Sequence, residues 1–338
     1  MALLDQYLAG TDGGWTEREA GHLYRRAGFG STPAERAAAA AAGDQAAFES
    51  AVDALVNFAP QDPHLDAPGT AGTGTFGDPL ASLPDDDSNL GRVKNPDVRR
   101  RLEAHWAYRM RYSSQPLQEQ FTLFLHDHMV SEWGKVASGV TRRVRDGNDG
   151  SAPEDQRCTT GTLPPDSNRK NQFVINLLQT QNYLLRASGM DDFRQLLIDI
   201  TLIYLDNAKN RKGKPQENYG REIMELFSMG VDNYSEDDVR EVTKCFTGEG
   251  LPLTSCSDDY QYDVYGFISS RHEPGNKTVF GKTVNFDDTG KETEEVIDLI
   301  LNEVGKNPDV TAHNLPATAV YMSWKLLRWF VNQNIVLY

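Results

Sequence analysis

Glu217-Asn-Tyr-Gly-Arg-Glu-Ile-Met-Glu-Leu-Phe-Ser-Met-Gly230 carries the plainest helical pattern in the chain. Tyr219, Ile223, Leu226 and Phe227 recur at helical spacing, so the segment reads as an amphipathic helix. Asn218, Glu222 and Glu225 fall together on its flank. Residues three apart share a helix face, so the two glutamates can point at one place. The next stretch, Tyr234-Ser-Glu-Asp-Asp-Val239, opens a second helix. Ser235 and Asp238 have the spacing of a capping box, and Tyr234 with Val239 that of a hydrophobic staple.

The same punctuation recurs elsewhere in the chain. Thr16 with Glu19, and Thr32 with Glu35, cap two more helices, the second with Pro33 in its first turn. An alanine-rich run over 34–42 favours helix by propensity. Apolar periodicity predicts helices over 44–58, 97–113, 117–130, 171–188, 191–205, 217–229, 236–246, 290–304 and 315–333. Weak alternation over 250–285 predicts one or two short hairpins. Segments 59–93 and 134–170 are rich in Pro, Gly and Asp, lack a core pattern, and read as irregular insertions. The predicted fold is mainly α: a single helical domain over 1–338 with a small β-hairpin element near 250–285.

Composition narrows the function classes. The 338 residues carry 49 acids against 34 bases, a formal charge of −15, which argues against nucleic-acid backbone binding. Two local basic runs, 97–102 and 141–145, read as solvated faces. No run approaches the roughly 18 apolar residues of a membrane span. The start, Met1 to Leu8, lacks the basic region of a Sec-type signal peptide, so the default expectation is a cytoplasmic protein. Cys158 and Cys256 lie in polar loop sequence, as a disulfide or as two free thiols; Cys245 reads as a buried small hydrophobe. The last residues follow an amphipathic helix without a polar tail, which reads as a truncated end.

The motifs, taken in order, resemble the bacterial domain-of-unknown-function family 1800. The resemblance begins at His22-Leu-Tyr-Arg-Arg-Ala-Gly-Phe-Gly30 and Leu125-His-Asp-His-Met129. It continues through Leu205-Asp-Asn207, Pro215 to Gly230, Tyr234 to Val239 and Thr247-Gly248. It ends with His272-Glu-Pro-Gly-Asn-Lys-Thr278 and Lys325-Leu-Leu-Arg-Trp-Phe-Val331. The sequence departs from the family pattern at Leu125 and Glu249 (usually Trp), Met129 (Phe), Gln216 (Asn), Gly220 (Ala) and Glu273 (Asp). The resemblance implies a missing C-terminal part. It also implies a sulfatase-like partner protein, from a second family found beside this one, and frequent export. It assigns no chemistry.

Candidate chemistry comes from the residues themselves. His126-Asp127-His128 offers donors suited to a divalent metal. On a continuous helix the two histidines stand roughly 200° apart, so one ion cannot take both unless the helix ends there. His128 shares a side with Leu117, Phe121, Phe124 and Leu125, which equally suits a core histidine. Glu222 and Glu225 read either as paired carboxylates, metal-ligating or acid–base, or as a polar flank with Arg221 paired to Glu225. His272, in a turn-rich segment beside Glu273, reads as a further ligand, a general base or a turn-holding residue. Arg25 and Arg26, following His22, suit an anionic group or salt bridges to a neighbouring helix. Two functions follow. One is a metal-dependent enzyme with His126, His128 and Glu222 as ligands and Glu222, Glu225 and His272 as catalytic groups. The other is a non-catalytic helical scaffold or partner-binding protein in which the same motifs are buried networks.

Overall fold

The structure, a computed structural model, describes residues 13–57, 95–129, 178, 181–203, 210–250 and 266–337. The irregular segments 59–93 and 134–170, and Cys158 and Cys256, lie outside them. The chain divides into two compact units, Met1–Asp85 with Pro96–Phe124, and Asp86–Asn95 with Leu125–Tyr338. It is mainly helical. Among the described residues, no helix is long and apolar enough to cross a membrane.

The first unit holds α1 (Glu17–Arg26), α2 (Pro33–Ala39), α3 (Gln45–Val56), α4 (Asn95–Tyr112) and the start of α5 (Pro116–His128). Both predicted capping boxes form: Thr16 with Glu19 and Thr32 with Glu35 each satisfy orphan N–H groups at their helix start. Asp44 caps α3 through the Ala47 N–H at 2.9 Å. Trp15 nucleates the core. Its ring meets Phe48 edge-on at 5.1 Å, and its indole N–H donates to the Ala39 carbonyl at 2.8 Å, so the polar end is satisfied as the ring is buried. Arg109 and Glu119 form a fully buried ion pair at 3.0 Å.

The second unit begins within α5 and continues with α6 (residues 181–188), α7 (Phe193–Ile203) and α8 (Glu217–Glu222). A π-helix (Ile223–Ser228) runs on directly from α8, followed by α9 (Glu236–Cys245). Then come α10 (Lys291–Asn302), α11 (Pro308–Thr311) and α12 (Ala317–Phe330). The hairpins predicted near 250–285 are partly present. Strand β1 (Glu249–Gly250) pairs antiparallel with β2 (Gly266–Phe267), and β3 (Lys277–Val279) with β4 (Lys282–Val284). Residues 251–265, between β1 and β2, lie outside the described set. On α9, Val239, Val242, Thr243 and Phe246 are buried at helical spacing. α8 lies close against that face. A Cβ on Gly220 would stand 2.3 Å from Thr243 Oγ1 and 2.9 Å from the Val239 carbonyl, so only glycine fits.

Asp238 ties three parts of this unit together. Its carboxylate accepts the Ser235 N–H at 2.8 Å and the Ser235 hydroxyl, completing the predicted cap of α9. It accepts the Phe280 N–H at 2.8 Å and the Lys306 ammonium at 3.1 Å. Phe280 and Gly281 form the two-residue turn between β3 and β4, with φ of 50° and 73°. A bulky residue in the left-handed region is unfavourable, and the Asp238 bond holds it there. Burial works against ionisation of Asp238, but the Ser235, Phe280 and Lys306 bonds outweigh it and keep its carboxyl below the ordinary 3.8. A lowered folded-state value means the stabilisation is present above the unfolded value and lost as pH falls through the folded one. Asp238→Asn is therefore expected to cost about 1–3 kcal/mol at neutral pH and to flatten the loss of stability below pH 3.8, read by urea unfolding across pH.

Candidate functional site

The end of α5 sets the two histidines as the helical period requires. Phe124, Leu125, His128 and Met129 are buried, Asp127 is exposed, and His126 lies between. His128 Nε2 is 3.1 Å from the Phe227 carbonyl, inside the π-helix. A carbonyl only accepts, so Nε2 carries the proton and Nδ1 is the lone-pair nitrogen. The ring also meets Phe227 at 6.1 Å and Tyr321 at 6.2 Å. Burial, with the Lys325 cation adding to it, pushes the His128 value down to about 4 against the opposing pull of the Phe227 bond. Burial also lowers His126, with Asp127 opposing.

The 217–229 segment is helical as predicted but changes type halfway. After Glu222 the backbone widens to π, and the Met229 N–H reaches the carbonyl of Met224, five residues back, at 2.7 Å. The Ser228 hydroxyl donates to the Ile223 carbonyl at 2.7 Å and takes up part of the slack in the widened turn. Widening rotates each later residue out of α register, so the two glutamates part company. Glu222 stays on the α portion and accepts from Asn218 Nδ2 at 2.7 Å. Glu225 accepts from the Tyr234 hydroxyl at 2.8 Å. Its charge, together with burial as the larger cause, raises the Tyr321 phenol above its ordinary value. Arg221 pairs bidentately with Glu236 at 2.9 and 2.6 Å. Lys325 sits 5.5 Å over the Tyr321 ring, and burial lowers its ammonium, with Asp127 opposing. Glu225, His128 and Lys325 thus gather about Tyr321.

His272 lies in a different cluster. Its Nδ1 is 2.6 Å from the Thr247 carbonyl and must donate to it. Its Nε2 lies 3.1 Å from the Lys277 ammonium and 3.1 Å from Glu292 Oε1, between a donor and an acceptor. Lys277 also reaches the Glu292 carboxylate at 2.7 Å and the Glu273 carbonyl at 2.7 Å. Glu292 accepts the Asp287 N–H at 2.8 Å. The Phe286 ring stacks on His272 at 5.6 Å and lies 5.2 Å from the Lys277 ammonium. Burial works against ionisation of Glu292, but His272, Lys277 and the Asp287 N–H overcome it and hold the carboxyl below its ordinary value. Cys245, beside Glu292 and Lys277, is buried as expected, and burial raises its thiol.

The profile of the family described as "Protein of unknown function (DUF1800)" matches residues 22–146 and 167–335. The chain belongs to this family. No curated protein and no solved structure matches it. All five candidate residues of this DUF1800 chain (His126, His128, Glu222, Glu225 and His272) fall within the matched ranges. The structure divides them. His128 and Glu225 meet at Tyr321, Glu222 turns to Asn218, and His272 is engaged with Thr247, Lys277 and Glu292. Among the described residues, no three His, Cys, Asp or Glu side chains gather so as to hold a metal ion. Sequence reading gives no role to Tyr321, Lys277 or Glu292, although Lys277 lies in the 272–278 motif and Tyr321 one helical turn before the motif residue Lys325.

Lys277→Met would strand the buried Glu292 charge. It is expected to cost about 3–5 kcal/mol by urea unfolding, and adding Glu292→Leu to recover most of that. A loss below about 1 kcal/mol for the single variant would contradict the assigned pair. For His128, the unfolded imidazole binds a proton near pH 6.5 that the folded one takes only near pH 4. The unfolded state therefore holds more protons in that window, and stability should fall as pH drops from 6.5 to about 4. NMR titration should find His128 neutral at pH 5, and His128→Gln should flatten the stability slope between those values.

Proposed function

We propose that this chain is an enzyme whose chemistry is carried at the π-helix, with Glu225, His128, Tyr321 and Lys325 handling protons on a small polar substrate. The supporting observation is the π-helix itself. Such turns are rare and concentrate at functional sites. Here the turn redirects Glu225 to a cluster in which burial and neighbouring charge displace Tyr321, Lys325 and His128 from their ordinary proton affinities. Displacement of several groups at one place is the pattern of acid–base sites. In this reading Glu225 is the general base, Tyr321 the phenolic donor, and Lys325 the cation that steadies developing negative charge. His272 stays within its own network and supports the fold.

A divalent ion held by His126, His128 and Glu222 would appear at stoichiometric amount in the purified protein and disappear in the His126→Ala, His128→Ala double variant. The scaffold reading also has an observation in its favour, the buried network of His272, Lys277 and Glu292. The resemblance to family 1800 supports a sulfatase-like partner under either reading.

Glu225→Gln separates these readings. Under the acid–base reading the variant folds as the parent does. Its turnover of nitrophenyl ester, phosphate and sulfate probes falls by about 100-fold or more. Unchanged turnover in a folded Glu225→Gln protein removes Glu225 from the chemistry. A native protein with neither metal nor turnover, together with unfolding of the variant, leaves the scaffold reading.

A further inference from the structure

Helix α1 carries a glycine, Gly21, in its interior, where glycine is among the poorest helix formers. The packing of α2 gives the reason. A Cβ on Gly21 would stand 2.7 Å from Arg36 Cδ, 3.6 Å from Arg36 Nε and 3.3 Å from Arg25 Nη1. The Arg36 side chain is thus laid across bare α1 backbone, and two guanidinium groups arrive over the same point. Arg36 is fixed there by donating to the Ser31 carbonyl at 2.9 Å. Arg25 is exposed, as are Arg26 and His22 on the same helix.

Among the described residues, no carboxylate pairs with Arg25, Arg26 or Arg36. The nearby acids are otherwise engaged. Glu19 closes the α1 cap with Thr16 and lies 4.0 Å from Arg18. Glu35 closes the α2 cap with Thr32, and its charge acts on Tyr24 and Arg111. The salt-bridge reading of Arg25 and Arg26 does not hold among these residues. Two like charges drawn together without a counter-charge repel, and an anion between them relieves the repulsion. Guanidinium groups donate two parallel N–H bonds to an oxyanion, and forks from two helices can grip one tetrahedral group from two sides.

We infer that Gly21, Arg25 and Arg36 form a binding site for a phosphate-type oxyanion, either free phosphate or the phosphoryl group of an ester. It takes no part in the chemistry proposed at the π-helix and stands or falls separately. The test is titration calorimetry of the full chain at fixed ionic strength with inorganic phosphate and, in parallel, phenyl phosphate. Saturable binding is expected, weakened at least about tenfold by Arg25→Gln and by Arg36→Gln. Gly21→Ala should weaken it with the charge unchanged, and Arg18→Gln on the same helix should leave it intact. Tighter binding of phenyl phosphate identifies the ester as the ligand class, and tighter inorganic phosphate the free anion. Absence of saturable binding overturns the site. So does an Arg18→Gln loss equal to that of Arg25→Gln, which would mark diffuse charge attraction.

Discussion

The second unit depends on a lysine and a glutamate that have both left water. The Lys277 and Glu292 side chains are at most 1% exposed and 2.7 Å apart. Removing two such charges from solvent costs several kcal/mol per ion, recovered only when every donor and acceptor finds a partner at good geometry. That requirement fixes positions far apart in sequence. The Thr247 carbonyl orients His272, the Glu273 carbonyl takes a lysine hydrogen, and the Asp287 N–H joins Lys277 at Glu292 Oε1. The start of α10, the first strand of the β3–β4 hairpin and the turn after α9 are thereby held in one arrangement. Polar contacts of this kind tolerate little displacement, whereas the surrounding valines and isoleucines would accept several packings.

The π-helix is supported from outside in the same way. Its bonds are fewer and looser than those of an α-helix, and two side chains compensate. The Ser228 hydroxyl returns to Ile223, and the His128 ring reaches across from α5 to the Phe227 carbonyl. His128 is thus both a structural tether and a neighbour of Tyr321. Burial and the Phe227 bond meet the core reading of His128, while its place beside Tyr321 is what the proposed chemistry draws on.

Much of the helical framework was legible because its signals are local. Capping boxes at Thr16, Thr32 and Ser235 are decided within four residues, and each forms as read. The α-to-π change was not legible, because a serine at 228 is no marker by itself and the other tether, His128, lies 99 residues away in the chain. The spacing of Glu222 and Glu225 suggests one face, whereas in the structure their hydrogen bonds run to different partners, Asn218 and Tyr234. The partners of His272 had a readable signal that polarity concealed. Glu292 falls on the buried stripe of Thr293, Val296, Ile297 and Ile300, and Lys277 alternates inward with Val279. A charged residue in phase with an apolar face announces a buried pair, but sequence does not say with whom.

The missing side chain at Gly220 sets how near α8 and α9 can lie. A methyl there would run into the Thr243 hydroxyl and the Val239 carbonyl of the helix opposite. In this chain any side chain at 220 therefore demands either a wider crossing or a smaller residue at 243, so the two positions can change only together.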